Sequence, residues 1–359
     1  MRFADEIFMT FLLCVSADQV RSVSDGAAST YDWTVNVAQN GRPYFFEIFT
    51  VVNFVALCVA LPFVAPTAVY TLSLVMPMVA GWFLLQALAG IGVRLFLAYR
   101  RGAARELLGS YRASGWIVDT LRMAIFSGLW VHTYGWIKLA VPILHPRLFD
   151  QQLWNIDRAI CFGYSPNVFL LTLFSSPRVL RVIDVTYGDL FFISLTIAGV
   201  FFASAPERRM RIAFMNSNTL LWLIGAWMYV AVPALGPAYR FPEVWLPLAS
   251  LLEQTQYFQR MLMLNYDSVL SSLRGMQRPI NILFGVAAFP SLHVAFQTLA
   301  FLWMRRLTKW GGTLFGVVAL VIFIGSVVTG WHYLIDGIAG VLLAWGCYFA
   351  ARRVPAIRA

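Results

Sequence analysis

Charged residues, and lysine above all, are scarce in this chain. Asp, Glu, Lys and Arg make up only 12% of its 359 residues, whereas 60% are hydrophobic and the mean hydropathy is +0.70. Lysine occurs only at Lys138 and Lys309. Soluble globular domains contain about 25% charged residues, so this composition excludes an ordinary soluble domain. It predicts an integral membrane protein.

Cysteine is also sparse, and no motif indicates a bound metal. The four cysteines, Cys14, Cys58, Cys161 and Cys347, lie far apart along the chain. None of their spacings is typical of a zinc site or of a disulfide framework. We therefore expect packing roles for them, and the sequence predicts neither a metal site nor a cofactor.

Apolar stretches recur along nearly the whole chain at the length that a bilayer requires. A transmembrane helix needs about 20 mostly apolar residues. This criterion predicts about eight spans, at roughly 44–64, 67–97, 116–143, 182–204, 213–234, 291–304, 312–330 and 333–351. The predicted fold class is therefore all-α, a polytopic transmembrane helix bundle.

The arginines cluster between these predicted spans. The clusters are Arg100, Arg101 and Arg105; Arg208, Arg209 and Arg211; Arg305 and Arg306; and Arg352 and Arg353. If all four face the cytoplasm, alternation places 144–181, 235–290 and the turn at 330–333 on the other side. The net charge of +10 would also suit a nucleic-acid-binding protein. Because the basic residues lie between spans and not on one soluble face, we expect no nucleic-acid partner.

Two of the four histidines lie on the same predicted side of the membrane. His293 follows Pro290 and Ser291, which are typical of a helix start, so it falls in the first turn of a span. Unpaired N–H groups and the positive end of the helix dipole favour an anion there. We therefore predict a phosphate site at this helix start, with Ser291 among its binding residues.

His332 and Asp336 lie four residues apart at the start of the last predicted span. On a helix they would share one face, and the carboxylate could orient the imidazole. The free ring nitrogen of His332 would then be a nucleophile, and His293 could protonate a leaving oxygen from the other side.

These residues resemble the type 2 phosphatidic acid phosphatase superfamily. The resemblance rests on Pro-Ser-x-His at 290–293 and on His332 with Asp336. Leucine at position 292, the segments 150–158 and 233–239, and His-Tyr-x-x-Asp at 332–336 are closer to its inositol phosphorylceramide synthase branch. The resemblance implies a six-helix core and a metal-independent phosphohistidine intermediate, with the later histidine as nucleophile and the earlier one as acid.

The chain departs from the superfamily at the residues that bind phosphate. Arg278-Pro279 is present, but the lysine expected seven positions before Arg278 is Ser271, and the usual Ser-Arg pair before the later histidine is Gly325-Ser326. Other cations must bind the phosphate, since Arg holds its oxygens in bidentate fashion. The predicted substrate-binding residues of the long loop are Arg240, Tyr239, Arg274 and Arg278.

The sequence thus predicts an enzyme that moves a phosphate-bearing head group from a membrane phospholipid donor to a lipid or polyol acceptor. Three hypotheses about its function are compatible with the sequence: a lipid phosphotransferase, a lipid phosphate or polyprenyl diphosphate phosphatase, and a proton-coupled transporter with a His–Asp relay. The expected location is a bacterial inner membrane, with the site on the non-cytoplasmic face. The predicted organisation is an N-terminal arm, partly flexible or interfacial (1–43), additional transmembrane helices and a cytoplasmic loop (44–115), a catalytic transmembrane domain (116–351) and a basic cytoplasmic tail (352–359).

Overall fold

A computed structural model describes residues 43–62, 65–112, 115–273 and 280–353. These ranges contain helices and no strands. The α-helices are α1 (Phe45–Ala60), α2 (Ala65–Tyr99), α3 (Ala104–Arg112), α4 (Trp116–Leu144), α5 (Asp150–Ile160), α6 (Pro166–Leu173), α7 (Pro177–Ala203), α8 (Arg208–Ala231), α9 (Pro237–Arg240), α10 (Pro242–Trp245), α11 (Glu253–Leu273), α12 (Leu292–Leu307), α13 (Lys309–Val328) and α14 (Leu334–Arg353). The N-terminal arm before residue 43 and the last six residues of the tail lie outside these ranges.

Among the described residues, four helices are long and apolar enough to cross a membrane: α2, α7, α13 and α14. The other predicted spans also fall on helices, namely α1, α4, α8 and α12. α1 and α12 have only 16 residues each, and α4 and α8 carry charged residues in their first turns. The chain is a membrane protein, and the number eight stays a prediction.

The core of the bundle lies where α8 and α12 pack against α4, α7, α13 and α14. Its largest fully buried side chains include Trp303 of α12 and Tyr348 of α14. By contrast, the apolar side chains of α2, such as Trp82 and Leu85, are more than half exposed. Exposed apolar surface of this extent fits contact with lipid.

Histidines and arginine clusters lie at opposite ends of the same helices. α12 begins beside His293 and ends with Arg305 and Arg306, and α14 begins just after His332 and has its arginines in its last turn. At the arginine end, Arg208 pairs with Asp119 and Arg122 pairs with Glu47. These pairs join α8 to α4 and α4 to α1, so the acidic residues there stabilise helix packing.

The loops at the histidine end hold short helices. The longer α11 is capped at its first turn by Asp184, which accepts hydrogen bonds from the N–H groups of Gln254 and Thr255 at 2.9 and 2.8 Å. Gly236 and Gly330 have φ of +112° and +75°. A Cβ at Gly236 would lie 2.6 Å from the carbonyl oxygen of Trp331, so glycine lets the 236–240 segment touch the turn that carries His332.

Candidate active site

α12 presents His293 in its first turn, as the Pro-Ser motif predicts. The Ser291 hydroxyl caps the helix by accepting a hydrogen bond from the N–H of Val294 at 3.4 Å. Leu292 is buried and occupies the space beside Gly225, where an added Cβ would lie 2.4 Å from Leu292 Cδ2. The half-buried His293 ring contacts Phe191, with 4.4 Å between ring centroids. The absence of a side chain at Gly225 of α8 therefore leaves room for Leu292 in the bundle.

His332 lies in the turn between α13 and α14. Its N–H donates to the carbonyl of Ser326 at 3.1 Å, and its own carbonyl accepts a hydrogen bond from Asn167 at 3.1 Å. Because α14 begins at Leu334, His332 precedes the helix and shares no helical face with Asp336. The expectation of a helical i,i+4 pair is wrong in this respect. A hydrogen bond of 2.9 Å from the N–H of Tyr333 to Asp336 Oδ2 closes the turn and brings the two side chains together.

The three predicted catalytic side chains form a row. His332 Nδ1 lies 3.4 Å from Asp336 Oδ2, and His332 Nε2 lies 3.5 Å from His293 Nδ1. Both His332 and Asp336 are buried. A proton on Nδ1 facing the carboxylate leaves the lone pair of Nε2 directed at His293. The arrangement can therefore supply a nucleophile and a proton donor side by side.

The charge state of His332 follows from its surroundings. Burial lowers its pKa to about 3, and the positive charge of Lys138 acts in the same direction. The imidazole is therefore neutral near pH 7. Neutral imidazole is the form that attacks phosphorus.

Two aspartates of α5 hold the histidine turn in place. Asp157 accepts hydrogen bonds from the N–H groups of Leu334 and Ile335 at 2.6 and 2.9 Å and so caps α14. Asp150 accepts from the Tyr333 hydroxyl at 2.9 Å and from the N–H of Gly236 at 2.9 Å. The sequence indicates a family resemblance for this segment but no role for Asp150 or Asp157, because the groups that they bind lie far away in the chain.

Removal of the Asp157 carboxylate is expected to destabilise the protein. Burial raises the pKa of Asp157 to about 6, opposed by its two N–H donors, so it is ionised near pH 7. Asp157→Ala leaves both donors without an acceptor and should lower the free energy of unfolding by about 1–3 kcal/mol. The midpoint of thermal unfolding in detergent measures this. Asn155→Ala, on the exposed face of α5, is the control, and equal midpoints for both variants would contradict the capping role.

Lys138 is a residue of this site that sequence reasoning missed. It lies on α4 near the histidine end, and its charge acts on both His293 and His332. Its Nζ is 5.5 Å from the ring centroid of Tyr229 and 5.9 Å from that of Tyr134. A signal was available, because a lone lysine inside an apolar span is a candidate functional residue on cost alone.

The predicted phosphate-binding residues of the long loop are placed less favourably. Arg240 is exposed and its guanidinium lies over the Phe241 ring at 5.7 Å from the centroid. Tyr239 donates a hydrogen bond to the carbonyl of Gln259 at 2.9 Å. Arg274 and Arg278 lie outside the described residues. The structure brings His293, His332 and Asp336 together but shows no contact between them and Arg240 or Tyr239.

An apolar cavity of about 170 Å³ lies in the bundle between α2, α4, α7, α8 and α12. Phe296 and Trp222 line it, and Phe296 is one helical turn beyond His293. The rest of its lining, which includes Phe202, Ala203 and Arg211, extends toward the arginine end of the bundle. Its lining suits a hydrocarbon chain.

Comparisons with known proteins agree with the motifs. A family model described as the PAP2 superfamily matches residues 151–350, and this range includes both site histidines, Asp157 and Asp336. Lys138 and Asp150 lie before it. No curated protein and no solved structure matches the chain.

Proposed function

The chain belongs to the PAP2 superfamily, and on that premise we propose that it is a lipid phosphotransferase that works through a phosphohistidine on His332. Membership in the superfamily indicates phosphatase or phosphotransferase activity. The observation that carries the proposal is the row Asp336, His332, His293, with gaps of 3.4 and 3.5 Å. A histidine oriented by a carboxylate and facing a second histidine is the arrangement that nucleophilic and acid catalysis require.

In the first step, His332 Nε2 attacks the phosphorus of a donor phospholipid. The N–P bond forms and the bond from phosphorus to the diacylglycerol oxygen breaks. That oxygen takes a proton from His293, whose protonated form the negative charge of the bound phosphate favours. Asp336 stabilises the positive charge that develops on His332.

In the second step, a hydroxyl acceptor attacks the phosphohistidine. Its proton passes to His293, its oxygen bonds to phosphorus, and the N–P bond breaks. A lipid or polyol hydroxyl makes the protein a transferase. Water makes it a hydrolase, which is a phosphatase when the donor is a phosphate monoester and releases the phosphorylated head group when the donor is a diester. Leu292, which packs against Gly225, favours the transferase. So do the segments 150–158 and 233–239, which resemble the inositol phosphorylceramide synthase branch.

The two imidazoles must separate when substrate binds. An in-line transfer places phosphorus about 3 Å from the nucleophile and the leaving oxygen about 3 Å from the acid, so roughly 6 Å is needed between the nitrogens. They are 3.5 Å apart here. The contacts of His293 with Phe191 and Tyr187 are ring contacts and no hydrogen bond fixes its second nitrogen among the described residues, so rotation of this side chain can open the space.

Transfer of label between lipids tests the proposal. The full-length protein in nanodiscs is incubated with a phospholipid donor labelled in its head-group phosphate, with and without ceramide, diacylglycerol or inositol. We expect label in a new acceptor product. Release of the label only into water, as free phosphate from a monoester donor or as the phosphorylated head group from a diester donor, would replace the transferase with a hydrolase. A complete lack of turnover with every donor would remove the enzymatic proposal in favour of the transporter.

The site location is part of the proposal. Because the histidine row lies at the helix ends opposite the arginine clusters, we place it on the non-cytoplasmic face of a bacterial inner membrane. Positions at helix ends, and not in mid-span, also favour an enzyme over a proton relay.

A further inference from the structure

Lys138 is held in a defined place beside the histidine row. Its stem packs on Gly285, where an added Cβ would lie 2.8 Å from Lys138 Cγ. Its ammonium group lies near the faces of Tyr134 and Tyr229. Both rings attract a cation through their π electrons, and they leave the N–H groups of the ammonium free to bind an anion. The position of the charge is therefore set by packing.

This charge has no anionic partner in the part of the chain that the structure describes. The ion pairs there are Arg122–Glu47, Arg208–Asp119 and His332–Asp336. A cation in the interior of a membrane bundle is costly unless it is paired. The only other lysine of the chain is Lys309, so a lysine inside the bundle is a rare feature that argues for a function. Within the described part of the chain, the ammonium group of Lys138 therefore lacks a counter-ion, which a bound anion would supply.

The missing anion belongs at the reacting centre. Lys138 packs on Gly285, in the same segment as Ala288, whose backbone hydrogen-bonds to the His332 imidazole. The charge of Lys138 acts on both His293 and His332. An anion between Lys138 and these rings therefore lies at the reacting centre. The Tyr187 hydroxyl, whose ring is 5.9 Å from that of His293, is buried with no hydrogen-bond partner among the described residues. Together with Lys138, this unused donor, whose ring contacts that of His293, defines the candidate anion pocket.

We propose that Lys138 binds the phosphate group of the substrate, with the Tyr187 hydroxyl as a second donor. Lys138 thus supplies the positive charge that the chain lacks at Ser271 and at Gly325-Ser326. The inference rests on the proposed function for the identity of the anion as a lipid phosphate. It assigns phosphate binding to α4, which lies before the segment that matches the family model.

Chemical modification tests the binding directly, because the chain contains only two lysines. Lys138 and the exposed Lys309 are reductively methylated with and without inorganic phosphate, and the rates are measured by mass spectrometry. We expect phosphate to slow methylation of Lys138 about 10-fold or more and to leave Lys309 unchanged. The same protection is expected in His332→Ala, since ion pairing needs no nucleophile. Equal rates at Lys138 with and without phosphate would overturn the proposal.

Substitution separates phosphate binding from a structural role. Lys138→Met should raise the KM for the donor lipid about 10- to 100-fold, the range for loss of a charged hydrogen bond, and Lys138→Arg should restore part of it. Lys309→Met is the control. Unchanged KM in a folded Lys138→Met protein would overturn the inference. If the wild type forms no phosphohistidine but phosphate still protects Lys138, the proposed reaction fails and the anion pocket stands.

Discussion

Replacement of His332 by alanine is expected to abolish formation of the phosphoenzyme and to lower turnover by about 10³-fold or more. The reason is that His332 Nε2 is the nucleophilic atom that lies 3.5 Å from Nδ1 of His293, the proposed acid. After brief incubation with labelled donor lipid and rapid quenching, the wild type should carry acid-labile, base-stable label, as a phosphohistidine does. The variant should carry none.

His145→Gln is the matched control for this loss. His145 lies on the same side of the bundle, but its Nδ1 is engaged with the carbonyl oxygen of Val230 at 2.9 Å and its ring lies against Phe149. The control should keep its label and its turnover. Label that persists in His332→Ala would mean that another residue is the nucleophile, and the roles assigned to the row would have to be given up.

Replacement of His293 by glutamine is expected to have an effect that depends on the leaving group. With a phospholipid donor, whose alkoxide leaving group needs a proton, turnover should fall by about 10²- to 10⁴-fold. With an aryl phosphate such as p-nitrophenyl phosphate, the leaving group is stable without a proton and the loss should be small. The measurement is the ratio of kcat/KM for the two substrates in the variant and in the wild type.

The ratio, and not the loss alone, identifies His293 as the acid. Glutamine keeps most of the volume of the ring against Phe191 and Tyr187, so packing should survive. Losses of equal size on both substrates would show that His293 positions the phosphate or supports the fold. An acid role would then be excluded.

The sequence contains enough local information to predict the helices and the histidine row. Apolar stretches indicated the helical ranges. Pro290 and Ser291 correctly predicted a helix start that places His293 in the first turn of α12. Motif spacing singled out His332 and Asp336 together. It did not reveal that α14 starts after His332, because Asp157, far away in the chain, provides the cap that sets this start.

Long-range contacts explain what sequence reasoning could not supply. Asp150 and Lys138 have no neighbours in sequence that hint at their partners, and only the packing of α4 and α5 brings them to the histidine turn. The sequence favours the arginines of the long loop as phosphate-binding cations, because that loop contains part of a family motif. It also places Lys138 inside an apolar span, and the cost of burying that charge argues for a function.

The order of the helices along the chain also determines when the histidine row can form during synthesis. α4 and α5 are synthesised well before α14. Lys138, Asp150 and Asp157 are therefore present before the helix that completes the site. Only synthesis of α14 supplies Asp336 and the N–H groups that donate hydrogen bonds to Asp157. A nascent chain held at any earlier length lacks an oriented nucleophile. Under the proposed mechanism, incomplete copies in the membrane therefore cannot cleave the lipids around them.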